Sequence, residues 1–281
     1  MAAVTDDARA VPRLGVGVTY IGGRKADHEI VGADFLHVRA NDVAVRGAGD
    51  GGFTVGGDAP SVPVVVSGAA LSLGTMGPVD RAALAEVKQL SDATGCVYYG
   101  EPLCMTRVPG LDLDHLAPLW FTADVLANTI DRVDAVQQAL GEPLLVESIT
   151  YMPPRCAKPQ AEFLSGLAEA TGCRLTVNVS AVHVNSRVHG FGAADYLDGL
   201  PDAAIAFVRI GPGRTADAAW ALAARVASTT RLEGVILDYT TRTAGPGARR
   251  QDGERARALM ASAVAQPSSS CEGGVRQVVH V

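Results

Sequence analysis

Eight short apolar runs punctuate the chain, at residues 14–20, 34–38, 62–67, 96–99, 143–147, 174–178, 204–210 and 234–239. Each is four to seven residues long, and most are rich in Val, Ile or Leu. Near-continuous apolarity over so few residues suits strands of a parallel sheet that is covered on both faces. Most of the intervals carry a helical repeat instead. Residues 81–93 put Leu84, Val87 and Leu90 on one stripe, and residues 123–140 do the same with Leu126, Ile130, Val133, Val136 and Leu140. Residues 161–170, 216–227 and 254–265 follow the same period. The tetrapeptide Ala-Thr-Gly-Cys occurs at both 93–96 and 170–173, so Gly95 and Gly172 each close a helix and hand over to a strand. Gly141 and Gly234 read the same way, because glycine just past a helix supplies the left-handed residue that ends it.

Eight strands with helices between most of them predict a single (β/α)₈ barrel of α/β class over residues 13–265. An N-terminal extension (1–12) and a mobile C-terminal tail (266–281) flank it. The doubly wound sheet is the competing architecture, but its glycine-rich first turn is missing, since Gly15 and Gly17 lie inside a strand rather than before a helix. The segment GAGDGGFTVGGD at 47–58 reads as a flexible loop or hairpin tip.

Barrels of this kind place their chemistry where the strands end at the C-terminal face. Those ends carry His37, Ser67, Tyr99 with Glu101, Glu147, Asn178, Arg209 and Asp238. A carboxylate that ends Leu-Leu-Val-Glu, or an arginine inside Phe-Val-Arg-Ile, is costly to bury unless it is paired. Glu147, Asn178, Arg209 and Asp238 are therefore expected at one end of the barrel. Leu145, Thr176, Phe207 and Ile236, two positions earlier on the same strands, should lie beneath them. Such a cluster is either a structural ion network or a ligand pocket. His183 and His189, in the stretch 181–190 after the sixth strand, are further candidates for the mouth. Residues 211–214 (Gly-Pro-Gly-Arg) read as a tight turn or an anion cradle. Trp120 and Phe121 read as packing residues ahead of a helix. His28 and His115 belong to no evident constellation, and Cys104 has no neighbouring base to make it a nucleophile.

Composition narrows the classes. Hydrophobic residues make up 48% and charged residues 19%, which supplies a large core and excludes a disordered chain. A net charge of −6 argues against gripping nucleic acid. The five cysteines form no CxxC pair, against a zinc site or a disulfide framework. No run approaches the roughly 20 apolar residues of a membrane span, and the first residues carry no apolar signal segment. The expectation is a cytoplasmic protein without membrane or nucleic-acid partners.

Several motifs together carry a resemblance. They are Gly68-Ala69-Ala70-Leu71-Ser72-Leu73-Gly74, then Leu144-Leu145-Val146-Glu147, then Asn178-Val179-Ser180-Ala181-Val182-His183-Val184 running on to His189-Gly190-Phe191, and Asp195-Tyr196-Leu197-Asp198-Gly199-Leu200-Pro201. From about Leu14 to Tyr239 the chain resembles the multinuclear non-haem iron-dependent oxidative enzymes. These are xylose-isomerase-like barrels that modify cysteine-containing peptides, as in methanobactin and thiaglutamate biosynthesis. The resemblance implies a ring of histidines and carboxylates around two or three irons, and here most of that ring is replaced. The family histidine before Gly-x-x-Leu-Ser-Leu-Gly is Ser67, and the acidic-His pair ending the fourth strand is Glu101-Pro102. The carboxylate of the fifth strand remains as Glu147. The family aspartate of the sixth strand is Asn178, and the ligand three residues on is Ala181. The histidine of the seventh strand is Arg209, an Asp-x-His segment is missing between Gly213 and Trp220, and the glutamate of the eighth strand is Asp238.

A guanidinium cannot lose its proton to become a ligand. The expectation is therefore an enzyme without metal or other cofactor. It would perform an isomerisation, cyclisation or elimination on a small-molecule or peptide-derived substrate in specialised metabolism. Glu147 is the expected base, Arg209 an anion or oxyanion partner, and Asp238 an orienting group alongside Glu101, Tyr99 and Asn178. Two alternatives stand beside it. One is a non-catalytic relative that acts through a second copy or a biosynthetic partner and has a closed, fully paired barrel mouth. The other is a metal-dependent oxygenase with a reduced site, including a single divalent ion on Glu101, Glu147, Asn178 and Asp238.

Overall fold

Each of the eight apolar runs contributes one stave of a closed parallel barrel, and the open doubly wound sheet is ruled out. The computed structural model describes residues 13–22, 27–46, 52–108, 110–149, 159–211, 216–240 and 244–263. The strands are β1 (Gly15–Thr19), β2 (Phe35–Arg39), β3 (Val43–Val45), β4 (Phe53–Val55), β5 (Val64–Ser67), β6 (Tyr98–Leu103), β7 (Met105–Val108), β8 (Leu111–Ala117), β9 (Leu145–Ser148), β10 (Arg174–Asn178), β11 (Ile205–Ile210) and β12 (Gly234–Leu237). Around the barrel the order is β1-β12-β11-β10-β9-β6-β5-β2, and β2 pairs back to β1. The helices are α1 (Asp27–Val31), α2 (Arg81–Thr94), α3 (Ala123–Leu140), α4 (Gln160–Thr171), α5 (Val179–His189), α6 (Ala193–Asp198), α7 (Ala216–Thr229) and α8 (Pro246–Ser262). The extension 1–12, the tail 266–281, the loop tip 47–51 and residues 212–214 of the Gly-Pro-Gly-Arg turn lie outside the described residues.

The helix ends follow from the sequence. Asp80 caps α2 by accepting from the amides of Ala82 and Ala83, and Thr122 caps α3 through the Val125 amide. Gly95, Gly141 and Gly172 adopt the left-handed conformation expected of them. Gly234 does not. Helix α7 stops at Thr229, and Gly234 instead opens β12, where a Cβ would stand 2.8 Å from the Phe207 ring. The absent side chain there makes room for an aromatic core.

That core is built by the two-residue alternation of strands. Phe35, Val65, Tyr98, Leu145, Phe207 and Ile236 form one cluster inside the barrel, one from each of six strands. Phe207 packs against Phe35 and Tyr98, with ring centroids 5.7 Å apart in both pairs. On β1 the equivalent place is taken by Gly17, against which the Phe35 ring lies so closely that a Cβ would come within 2.3 Å. Below this layer the Tyr98 hydroxyl donates to Glu233, which also pairs with Arg174 at 2.6 Å, so a polar plug closes the N-terminal end.

Two hairpins stand outside the barrel. Strands β3 and β4 pair across the 47–51 tip, in line with the hairpin reading of that segment. Strands β7 and β8 form a second, antiparallel pair over the C-terminal mouth. Neither its strands nor the short helices α1 and α6 stand out in the apolar pattern. Among the described residues no helix is long and apolar enough to cross a membrane.

Candidate active site

Two positions further along each strand from the aromatic layer, the same inward parity selects Thr19, His37, Ser67, Gly100, Glu147, Asn178, Arg209 and Asp238, one residue from each barrel strand or its end. Six of the eight are polar or charged side chains named from the strand ends. All of these six but Asp238, together with Gly100, ring a cavity of about 1130 Å³ that opens at the C-terminal face, with Leu145 and Thr176 at its floor. Leu145, Phe207 and Ile236 lie in the apolar layer beneath, as the strand alternation requires.

Arg209 organises one wall. Its Nη1 donates to Glu147 Oε2 at 2.8 Å, its Nε to Asp238 Oδ2 at 2.9 Å, and its Nη2 approaches the same Asp238 oxygen at 2.7 Å. Asn178 Nδ2 donates to the other Glu147 oxygen at 3.2 Å, while Asn178 Oδ1 caps α5 through the Ala181 amide. Both Glu147 oxygens are therefore engaged. Burial alone would raise the Asp238 carboxyl, but Arg209 and the Thr240 amide hold it below the usual carboxylate range. Arg209 is pushed above the ordinary arginine value, because its two carboxylate partners outweigh the cost of burial. Three of its N–H directions are already taken, which leaves it poorly disposed to receive a further anion. His37 sits beside this group, joined at Nδ1 to the Thr19 hydroxyl at 3.1 Å. Burial, and then the nearby Arg209 charge, lower its pKa to about 3, so it is a neutral imidazole at any ordinary pH.

The opposite wall belongs to Glu101. Strand β6 runs on to Leu103, past the expected end at residue 99. The inward place at this level goes to Gly100, and Glu101 reaches the cavity from the next position. Its Oε1 accepts from the amides of Ala70 (3.1 Å) and Leu71 (3.3 Å) and from the Tyr99 hydroxyl (3.2 Å). Its Oε2 is buried without a hydrogen-bond partner, and the residue as a whole is 2% exposed. Burial pushes this carboxyl up to about 7, against the opposing pull of the Leu71 amide, Tyr99 and the Ala70 amide. The Gly-Ala-Ala-Leu-Ser-Leu-Gly segment is thus the loop whose amides hold Glu101. Arg132 of α3 fixes that loop from behind by donating to the carbonyls of Leu71, Ser72, Gly77 and Pro78. Ser72 within it has a positive φ of 49°, and its Oγ accepts from the amides of Thr106 and Arg107.

The β7–β8 hairpin supplies residues that the apolar pattern does not reveal. Met105 pairs with Ala117 and Arg107 with Asp112, so residues 113–116 bulge opposite Thr106, with Asp114 at φ 55°. The bulge brings His115 and Leu116 to the cavity wall, followed by Pro118 and Trp120. Trp120 is 52% exposed at the mouth and is not a packing residue, whereas Phe121 is buried with its ring 5.1 Å from that of Phe163.

His37, Ser67, Glu101, Glu147, Asn178 and Arg209 all line the cavity. Asp238 and Tyr99 do not line it. They touch it through Arg209 and Glu101. His183 and His189 do not line the mouth either. Because Asn178 caps α5 directly, residues 179–189 wind into a helix rather than a loop, and roughly 1.5 Å of rise per residue carries His189 away to an exposed end.

Residues 14–236 match the family model for the RiPP precursor modification enzymes MbnB/TglH/ChrH, which act on precursors of ribosomally made peptide products. The chain belongs to this family. A UPF0276 protein of Acaryochloris marina is 36% identical over 141 residues, which is 50% of this chain and 51% of that protein. One of Streptomyces avermitilis is 31% identical over 198 residues, 67% of this chain and 41% of that protein. The chain spans about half the length of the first of these relatives, and less of the second. An L-ribulose 3-epimerase structure superposes with a TM-score of 0.53 at 13% identity, covering 89% of this chain and 95% of that one, which shows the shared barrel fold.

The donor set of the described residues does not fit the iron centre that the resemblance implies. Among the described residues no three His, Cys, Asp or Glu side chains converge to hold a cation. Between Glu147 and Asp238 stands a guanidinium hydrogen-bonded to both, at the strand position where the resemblance implies a histidine ligand.

Proposed function

We propose that this member of the family is a precursor-modifying barrel enzyme that works by acid–base chemistry without an iron centre. Isomerisation, cyclisation or elimination on a peptide-derived or small-molecule substrate fits, because each needs only a proton taken from one atom and delivered to another. The observation that supports this reading is Glu101. It is a buried carboxyl on the cavity wall, with one oxygen fixed by three donors, the other unpartnered, and an affinity for protons near neutrality. Glu147, the base expected from the sequence, has both oxygens committed to Arg209 and Asn178. In this proposal the proton-transfer role passes to Glu101, while Glu147 and Asp238 fix Arg209.

In the resting site Tyr99 and the Ala70 and Leu71 amides keep Oε1 an acceptor, so a proton on Glu101 resides on Oε2. In its ionised form that oxygen takes a proton from one substrate atom and then delivers it to another. Neutral His37 and the remaining N–H directions of Arg209 orient the substrate from the other wall. The non-catalytic alternative requires a closed, fully paired mouth. The Arg209 cluster is paired, but an open cavity of about 1130 Å³ and an unpartnered Glu101 oxygen favour catalysis.

The test is mass spectrometry of a cysteine-containing precursor peptide incubated with the protein, under chelator and without oxygen. The expected product has unchanged mass or has lost a small neutral molecule, and Glu101→Gln slows its formation by on the order of 10²-fold. A product that forms only with iron and oxygen would overturn the proposal.

A further inference from the structure

The hairpin over the mouth gives the cavity a wall unlike its strand-built side. Ser67, Glu147, Asn178 and Arg209 make the strand side polar, whereas the hairpin and its exit contribute His115, Leu116, Pro118 and Trp120. Trp120 is 52% exposed and Leu116 39%. The other tryptophan, Trp220, is buried, with the Arg255 guanidinium 4.8 Å from its ring centroid. An indole left open on a cavity wall forgoes the burial that drives large aromatics inward, and such apolar surface gathers where a ligand or partner covers it. The wall is also firmly built. Asp114 holds a left-handed φ of 55°, which disfavours a residue with a Cβ, and the bulge it sits in aims His115 and Leu116 at the cavity. Nδ1 of His115 donates to the Leu113 carbonyl and pins the ring. Thr106 ties the partner strand to the 68–74 loop, its hydroxyl donating to the Ala69 carbonyl and its amide to Ser72 Oγ.

We infer that this wall is a side-chain subsite, which takes a large apolar or aromatic side chain of the substrate peptide, adjacent in sequence to the residue that reacts deeper in the cavity. The inference rests on the reading of the cavity as a peptide-modifying site and adds which peptides it prefers. A volume of about 1130 Å³ exceeds the roughly 300–1,000 Å³ of small-ligand pockets, so a reacting side chain alone leaves space unfilled. Successive side chains of an extended peptide point to opposite sides. A residue turned towards Glu147 and Arg209 therefore turns its neighbours towards the hairpin. Of the residues lining the cavity, those from the hairpin and its exit include no carboxylate, lysine or arginine. A charged or small flanking residue gains nothing there, while a Phe, Trp or Leu side chain buries its surface against the indole and Leu116.

Isothermal titration calorimetry with two capped peptides tests this. Acetyl-Phe-Cys-Phe-amide and acetyl-Gly-Cys-Gly-amide carry the same thiol and no charged group, and differ only in the flanks. The aromatic peptide should bind at least about tenfold more tightly. Trp120→Ala should erase most of that preference and Leu116→Ser part of it, with the affinity for the glycine peptide unchanged. Both side chains are exposed, so neither substitution should lower the thermal unfolding temperature. Trp220→Phe leaves Trp120 as the sole indole. Its emission should move to the blue, and its quenching by acrylamide should fall, as the aromatic peptide saturates the site. Equal affinities for the two peptides, no binding of either, a preference that survives Trp120→Ala, or an indole still fully quenchable at saturation would each overturn the inference. So would an indole shielded without peptide as protein concentration rises, which would assign the wall to a second copy of the chain. Modification of a bound peptide is read in the separate mass-spectrometric assay, so the acid–base reading and the subsite fail independently.

Discussion

Glu101→Gln should make the protein more stable at pH 8 than the parent, by about 3 kcal/mol, while matching it near pH 4. The sign follows from linkage. The folded-state pKa is raised to about 7, above the ordinary carboxylate value of 4.5. Between those two values the folded chain holds a proton that the unfolded chain has released, so stability falls as pH rises through this window and levels off above it. A separation of 2.5 units at about 1.36 kcal/mol per unit sets the size. Glutamine keeps the shape and offers an amide oxygen to Ala70, Leu71 and Tyr99, but it has nothing to ionise. His37 acts in the opposite direction. Its lowered pKa means that stability is lost as pH falls from about 6.5 towards 3, because the unfolded imidazole takes up a proton that the folded one refuses. The difference between variant and parent isolates Glu101, since both carry His37. Urea unfolding at pH 4, 6 and 8 reads it. A variant less stable than the parent at pH 8 would mean that Glu101 is ionised and paired in the folded protein.

Arg209→Met should cost about 3 kcal/mol at pH 7, because it leaves Glu147 and Asp238 as adjacent half-buried carboxylates with no counter-charge. The deficit should shrink as pH falls. Without the guanidinium Asp238 takes up a proton more readily, and in the parent its lowered pKa means that acid removes stability. Arg209→Lys should recover only part of the loss. One ammonium does not reproduce two hydrogen bonds and a further ion-pair contact from a planar fork to two carboxylates. Combining Arg209→Met with Glu147→Gln and Asp238→Asn should restore most of the stability. Chemical denaturation of the three variants, with the parent alongside, decides it. An Arg209→Met protein as stable as the parent would mean the cluster contributes nothing to the fold.

The barrel was legible because each strand is buried on both sides and therefore reads as an unbroken apolar run. The alternation rule then placed His37, Ser67, Glu147, Asn178 and Arg209 on one level, and it put Leu145, Phe207 and Ile236 beneath. The rule went astray on β6, where Gly100 takes the inward place and Glu101 reaches the cavity from the outward parity. Two hidden features explain the rest. The β7–β8 hairpin is solvated on much of its surface, so Leu111–Ala117 carries no apolar signature, and the bulge that brings in His115 and Leu116 depends on pairing alone. The character of Glu101 depends on the amides of Ala70 and Leu71, some thirty residues away, and on Arg132 behind them, a contact set that no local pattern encodes. His183 and His189 illustrate the reverse error. A histidine close to a strand end in sequence is carried off when the helix starts at once.

Both the resemblance and the family membership raise iron as the alternative to acid–base chemistry, and the occupant of the space beside Glu147 and Asp238 separates the two. The most direct measurement is the iron content, by elemental analysis, of protein produced in iron-supplemented medium and purified without chelator. With Arg209 in the ligand position and too few histidines and carboxylates around it, the protein should carry well under one iron per chain. Two or more irons per chain, lost on Glu147→Gln, would contradict it.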